Sequence, residues 1–520
     1  MRKEKVFLLG ASGSMGLEAF KCLWEKRDRY DIVLLQRPSR VNKKLFAPYE
    51  KKTGITPIAG KGVAEAADGT FKIVWGDATV YEDIVEASTG IDWCLCPMAF
   101  ISPEADRNPA LAKAVNTSAI EYLVRAIESQ PGGAARIKLV TVGTVAATGD
   151  RLPPIHVGRV GDPLKPSVYD FYATTKIAGE RAVLESEIKH WAVLRQTFIM
   201  IPKVMSLLDP IMFHQPLQSC MENNTTEDAG RGLVNVLDVP EDSDFWRQVY
   251  NMGGGPACRI TYLDFMNIAF TMLGLDYRRI FERRWFALHN FHMQYFEDSY
   301  VLDQYVHNWR DTMETYRERM WENLPRSLKL IAKLAQSPVL KRAIENATYW
   351  RMKQLAGRPD GTLGWYRRRN TGRIRAFYGS YEAYESIPGW DVPLATPASP
   401  TEYRRLDHGY DESKKTLEWQ DLQGAAKFRG GECLSSAWNG DLYERVRWKC
   451  ARDHEFDARP YTVLKAGHWC PACAPPPWNY GEMAKQNRFF AQVYYSNHDE
   501  SECDYYDEKC YEDILRENQA

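Results

Sequence analysis

Tyr172-Ala173-Thr174-Thr175-Lys176 sets a phenol and an ammonium four residues apart, on one face of a helix. An ammonium beside a phenol lowers the phenol's pKa and makes it a proton donor and acceptor near neutrality. Taken alone, the two residues are equally well a surface helical pair. Upstream, Leu139-Val140-Thr141-Val142-Gly143-Thr144 reads as a strand ending in a hydroxyl, and Thr144 can hydrogen-bond a substrate carbonyl. Near the start, Gly10-Ala11-Ser12-Gly13-Ser14-Met15-Gly16 follows the apolar run Val6–Leu9 and precedes a helical pattern. Glycines there let backbone N–H groups of Gly10, Ser12, Gly13, Ser14, Met15 and Gly16 approach a pyrophosphate, and the helix N-terminus adds its positive end.

The next strand ends Leu34-Leu35-Gln36-Arg37-Pro38-Ser39-Arg40. An acid that would bind ribose hydroxyls is missing at Gln36. Arg37 and Arg40 match the geometry of a 2′-phosphate instead, so NADP(H) is the expected coenzyme and NAD(H) the alternative.

Eleven cysteines, an odd number, exclude complete pairing within the chain. Cys433, Cys450, Cys470 and Cys473 cluster, and four thiolates can close a structural Zn²⁺ site with no position left for water. His454 is read as packing beside the site, or as replacing one cysteine. A redox Cys470-x-x-Cys473 pair is the lesser alternative. Cys94 and Cys96 lie in an apolar run and read as buried, inert thiols. Cys503 and Cys510 fall in an acidic, tyrosine-rich tail.

The elements that must hold these groups follow from periodicity. Apolar runs at Val6–Leu9, Ile32–Leu35, Ile73–Trp75, Trp93–Cys96, Ile137–Val142 and Trp191–Leu194 alternate with helical patterns such as Ala110–Ser129 and Thr174–Leu184. That alternation predicts an α/β fold, a Rossmann-type doubly wound parallel sheet with both faces covered. Tyr262–Leu273 reads as a helix after the Gly253-Gly254-Gly255-Pro256 turn. Residues 286–357 are almost free of glycine and rich in Leu, Arg, Tyr and Trp, which predicts helices, and 358–400 read as irregular. Ser327–Leu334 is amphipathic and basic. This middle part is read first as an accessory helical unit with a solvated basic face, next as a cap over a substrate, and last as a surface for an anionic membrane or nucleic acid. His289, His292 and His307 read as packing or surface residues. The expected organisation is 1–285, a mainly helical 286–424, a small Cys-bearing unit at 425–475 and a tail at 476–520.

The chain has 520 residues, 67 basic and 68 acidic, with a formal charge of −1 and 44 % hydrophobic content. This excludes a collagen-like, wholly disordered or strongly nucleic-acid-neutralising protein. Apolar runs fall far short of the roughly 18 residues a bilayer span needs. Val6–Leu9 is too short for a signal-peptide core, so a cytoplasmic, reducing context is expected.

With these motifs in order, residues 4–285 resemble the extended branch of the short-chain dehydrogenase/reductase superfamily, which includes nucleotide-sugar epimerases and dehydratases. The resemblance rests on Gly10–Gly16, Gly76-Asp77, Asn116, the Thr144 strand, Tyr172/Lys176, Leu194-Arg195, Glu227-Asp228-Ala229-Gly230 and Val249-Tyr250-Asn251-Met252-Gly253-Gly254. It implies that Tyr172 is the acid/base, that Lys176 lowers its pKa and holds the ribose, and that Thr144 orients the substrate oxygen. It further implies that Asp77 contacts adenine and that Asn116 supports the cofactor and proton relay. The chain departs from nucleotide-sugar members at Phe198, Ile201 and Cys94-Leu95-Cys96-Pro97-Met98, where amides and small residues are usual. Thr144-Val145-Ala146 also lacks the acid pair of dehydratases.

Separately, Gly430–Ser435, Trp448–Phe456 and Gly467–Cys473 resemble zinc-ribbon or treble-clef units found beside homing-endonuclease-like proteins. The expected function is an NADP(H)-dependent oxidoreductase moving hydride to or from a small, partly apolar ring compound. The alternatives are a nucleotide-sugar epimerase, dehydratase or reductase, and a nucleotide-sensing regulator acting through its zinc unit. The expected partner is a small-molecule substrate, with a homodimer common in the family. Nucleic acid, a membrane span and peripheral membrane contact are not expected.

Overall fold

The computed structural model describes residues 2–202, 208–394, 403–473, 478–502 and 506. Cys503 and Cys510 lie outside them.

Eight strands form one sheet: β1 (Glu4–Leu9), β2 (Tyr30–Gln36), β3 (Gly62–Glu65), β4 (Phe71–Trp75), β5 (Trp93–Cys96), β6 (Lys138–Thr144), β7 (His190–Gln196) and β8 (Gln248–Met252). Their spatial order is β8-β7-β6-β5-β1-β2-β4-β3. All neighbours are parallel except the β3–β4 edge pair. Val6 pairs with Ile32 on one side and Trp93 on the other, so the order reverses at β1. That reversal opens a crevice beyond the strand ends, the Rossmann ligand position.

Alternation explains why both faces are dry. Val6 and Leu8 enter one buried apolar cluster, and Phe7 and Leu9 enter another across the sheet. Helix α1 (Ser14–Glu25) follows β1, and α2 (Arg40–Lys52) follows β2. The expected Ala110–Ser129 helix is interrupted. Ala114–Ser118 is a π-helical turn before α3 (Ala119–Glu128). Helix α4 (Phe171–Leu184) carries Tyr172 and Lys176 and starts where Asp170 accepts the Ala173 N–H.

The middle of the chain is helical, as expected, through α5 (Tyr262–Met272), α6 (Met313–Glu322), α7 (Arg326–Leu334) and α8 (Pro338–Ala356). The irregular reading of 358–400 is corrected by three further helices, Thr362–Arg367, Thr371–Tyr378 and Tyr381–Glu385. Glycine and arginine mask them in sequence. Side-chain caps at Asn370 and Ser380 start the last two. One apolar cluster takes in Met200, Phe213, Tyr262, Trp285, Tyr316 and Met352. The expected boundary at 285 therefore lies inside a shared core. Beyond it, β9 (Glu432–Cys433), β10 (Val446–Lys449) and β11 (Glu455–Ala458) make a small antiparallel sheet around buried Trp448.

Candidate active site and Cys–His centre

A cavity of about 1000 Å³ opens at the sheet reversal. Its floor is the glycine loop. Gly10 has φ +111°, a backbone region that favours glycine, and a Cβ on Gly16 would run into the Gly10 carbonyl. The loop therefore lies close enough for its backbone to touch a ligand. Helix α1 begins without a side-chain cap and without an acid in its first turn, which leaves its first N–H groups for an anion. Gly10, Ser12, Gly13, Ser14, Met15 and Gly16 all line this end, with Gln36, Arg37 and Asp77. The residues fit a dinucleotide. Arg37 is exposed at the rim. Arg40, also exposed, starts α2 and is not part of the wall. The Asp77 carboxylate accepts from the N–H and hydroxyl of Thr79 at 2.9 and 2.8 Å, which fixes the turn after β4.

Midway, Thr144 and Tyr172 meet. Both line the cavity, with the Thr144 hydroxyl near enough to the phenol to lower its pKa. Burial pushes the phenol up to about 12 against the pull of Thr144. Lys176 does not reach this wall. It is buried, and its ammonium donates to the Val142 carbonyl at 2.7 Å. Burial lowers its pKa, while Cys96 and Glu180 hold it up. Lys176 is not among the groups that set the Tyr172 pKa here. Asn116 is also buried away from the cavity. It accepts from Phe100 N–H at 2.8 Å and donates to the Phe100 carbonyl and to Thr175 Oγ1 at 2.9 and 3.1 Å, pinning the Phe100 loop to α4. Cys94 and Cys96 are fully buried with thiols raised by desolvation, Cys96 to about 11, as suits inert packing.

Sequence reasoning missed a carboxyl pair at the start of α4. Asp106 accepts the Phe171 N–H at 2.9 Å, and burial and Asp170 together push it up to about 7. His292 lines the cavity, with Nδ1 3.6 Å from Asp170 Oδ2. Asp170, two residues before Tyr172 at a helix start, was the available signal; His292 is distant in sequence and had none.

Past Thr144 the wall turns apolar: Phe198, Ile201, Met212, Phe265, Met266 and Phe270 line it. Phe198 packs edge-on to Phe265 at 5.4 Å. Leu328 and Ile331 of α7 and Ile344, Thr348, Arg351 and Met352 of α8 complete it. The helical middle thus supplies part of the cavity wall.

In the C-terminal unit, ligand-type atoms of Cys450, His454, Cys470 and Cys473 lie within 4.8 Å of one another. Nδ1 of His454 is 3.5 Å from Cys470 Sγ and 3.4 Å from Cys473 Sγ. This corrects the four-cysteine reading, because Cys433 is not in the group. Cys433 pairs with Trp448 in the β9–β10 ladder, short of the turn. The tight turn after β10, with Asp453 at φ +59° and Cys450 N–H donating to the His454 carbonyl, carries His454 back beside Cys450. Hydrogen bonds from Cys473 and His454 pull the Cys470 thiol well down. Three thiolates and an imidazole suit a closed tetrahedral Zn²⁺ site.

This unit is seated on the outer side of α4. Arg181 donates to the Trp469 carbonyl at 2.8 Å, and His468 Nε2 lies 2.8 Å from Glu180 Oε1. Glu180 also binds Arg195 of β7 at 2.6 and 3.1 Å, and Arg195 donates to the Ala466 carbonyl at 2.7 Å. All three charged or polar partners, Glu180, Arg195 and His468, are buried.

No protein-family model matches the sequence, and no curated protein matches it. Solved structures resemble it at low identity. UDP-glucuronic acid 4-epimerase from Bacillus cereus is 15% identical over 64% of this chain and 99% of its own, with a TM-score of 0.45. DesIV, a dTDP-glucose 4,6-dehydratase from Streptomyces venezuelae, is 16% identical over 64% of this chain and 100% of its own, with a TM-score of 0.46. The UDP-Glc/GlcNAc 4-epimerase of Campylobacter jejuni is 14% identical over 64% of this chain and 99% of its own, with a TM-score of 0.43. At these identities the likeness is one of fold.

Proposed function

We propose that the chain is an NADP(H)-dependent oxidoreductase acting on a carbonyl or alcohol of a small, largely apolar molecule. The observation that carries this is the Thr144–Tyr172 hydroxyl pair, placed between a glycine-lined phosphate cradle and an apolar chamber. The coenzyme is held by Gly10–Gly16 at its pyrophosphate and by Arg37 at its 2′-phosphate. When bound, it supplies or takes the hydride.

Tyr172 handles the proton at the substrate oxygen. A phenol held near 12 is protonated at neutral pH, which suits donation and hence carbonyl reduction. Thr144 orients the same oxygen. Lys176 serves the site from beneath by holding the Val142 backbone in place. Phe198, Phe265 and the α7–α8 cap exclude water. Zn²⁺ at Cys450, His454, Cys470 and Cys473 is structural, since four protein ligands leave no open position.

The structures named above bear names tied to nucleotide sugars, the second reading. A diphosphate asks for basic or amide donors, and the chamber past Thr144 offers Arg351 and Gln215 within a mainly apolar wall. The test is NADPH oxidation by purified protein against apolar ketones and, in parallel, nucleotide sugars. Turnover of ketones that is lost in Tyr172→Phe supports the reading; turnover of nucleotide sugars alone overturns it.

A further inference from the structure

Helix α7 is amphipathic yet has no fully buried residue. Leu328 and Ile331 on its inner side line the cavity, while Leu330 and Leu334, four residues apart on the outer side, are 55% and 41% exposed. The pattern continues into α8. Ile344, Thr348 and Arg351 reach the cavity, whereas Val339 and Trp350, eleven residues apart and so on one face, are 78% and 60% exposed. Of the large apolar side chains exposed among the described residues, Trp321, Leu330, Leu334, Val339, Leu340 and Trp350 all fall in this one stretch. Burying them inside the protein is not what keeps them apolar.

Charge gives the partner. Residues 321–353 hold seven basic side chains and two acids, in a chain whose formal charge is −1. One of the two acids, Glu345, is buried and paired with Arg279 and Lys341. Lys329 lies over the Trp321 ring at 5.7 Å and Lys353 over Trp350 at 5.2 Å, so cations and indoles alternate along the outer face. Apolar side chains, interfacial tryptophans and a basic collar match an anionic lipid surface.

We propose that the outer face of α7 and α8 docks on an anionic bilayer, and that an amphiphilic substrate enters the cavity from that surface. The entry part rests on the oxidoreductase reading; the docking part stands without it. The one wall of the cavity that faces lipid is then the wall through which an apolar substrate leaves lipid, with Arg351 and Thr348 at the mouth for its polar end.

The test is co-sedimentation of the full chain with vesicles of phosphatidylcholine, with and without phosphatidylserine, across salt concentrations. Binding is expected only with phosphatidylserine and is expected to fade as salt rises. Two variants follow, Lys329→Glu/Lys333→Glu and Leu330→Ser/Leu334→Ser. Each should weaken vesicle binding about tenfold or more, given roughly fivefold for each basic residue at such a surface. NADPH titration, which reads the coenzyme cradle alone, should be unchanged in both, showing that they fold. Wild-type protein that ignores anionic vesicles, or variants that bind them as well as wild type, would overturn the proposal. So would a dimer that dissociates in Leu330→Ser/Leu334→Ser while vesicles are ignored, because the face would then belong to a second copy. If vesicles bind but added phosphatidylserine vesicles carrying a dissolved apolar ketone give no faster turnover than the ketone in solution, entry from lipid is overturned and docking stands.

Discussion

Tyr172 and Thr144 face each other on the cavity wall, so removing the Tyr172 hydroxyl takes away the group proposed to move the proton without opening a hole. Tyr172→Phe is expected to keep NADPH affinity and lose about 10²–10⁴-fold in turnover, the usual size of a lost acid/base step. Single-turnover kinetics with NADPH will show it. Arg37 and Arg40 are now distinguishable. Arg37 is on the cavity rim and Arg40 is not, so Arg37→Ser should weaken NADPH by about 1.5–3 kcal/mol and spare NADH, while Arg40→Ser should do less. Fluorescence titration with both coenzymes checks this. Glu180 is a third case. Arg195 and His468 hold its carboxyl down to about 2 from 4.5. A lowered acid stabilises the fold above its unfolded pKa, and that contribution is lost as pH falls from about 4.5 through about 2. Glu180→Gln should cost about 3–5 kcal/mol at neutral pH, because it leaves Arg195 buried without its counter-ion. The melting-temperature gap to wild type should narrow as pH falls through that window.

Elements carried most of what the sequence could say. The six apolar runs all became strands of the sheet, because strands buried on both faces are written as unbroken β-branched and aromatic stretches. The edge strand Gly62–Glu65 was not legible, since only Ala64 of its four residues is buried. Tyr172, Thr144 and the glycine loop were legible as candidates for one cavity because each sits at a fixed point of a strand or helix. His292 was not, because only tertiary packing brings it to Asp170. The Cys–His centre shows the same limit at smaller size. Spacing identified the cluster, but strand pairing decided that Cys433 stays in β9 and His454 turns inward. One zinc per chain is expected by elemental analysis. Cys433→Ser should retain it, and His454→Ala or Cys470→Ser with Cys473→Ser should lose it. Because the unit is seated on α4, metal loss should also lower turnover, and limited proteolysis should cut within 430–473.

Across the whole molecule, units that looked separate in sequence share cores. The helical middle and the preceding part of the chain meet in one apolar cluster, and Arg159 binds Glu412 at 2.7 and 2.8 Å while His408 lies 3.0 Å from Asp162. Nothing in local composition announces such joins, because each partner is an ordinary polar residue until the fold buries it. A chain stopped after residue 424 would expose the α4, β7 and β8 surfaces that residues 459–469 cover, including the Val249 N–H of β8 that donates to the Tyr461 hydroxyl. It is expected to be recovered mainly in aggregates, which a solubility assay on that truncation will show.

The Trp469 carbonyl that receives Arg181 lies 288 residues further along the chain. On a ribosome adding about 5–20 residues per second, the helix bearing Tyr172 would wait roughly 15–60 s for the segment that seats against it. During that interval Glu180 and Arg195 have each other but not His468 or the Ala466 carbonyl. The full seat of that helix therefore arrives late in synthesis and all at once, as the last covering segment and its Cys–His cluster emerge. Conditions that slow or interrupt decoding in the final stretch would act on the yield of folded protein even though every residue that lines the cavity was made long before.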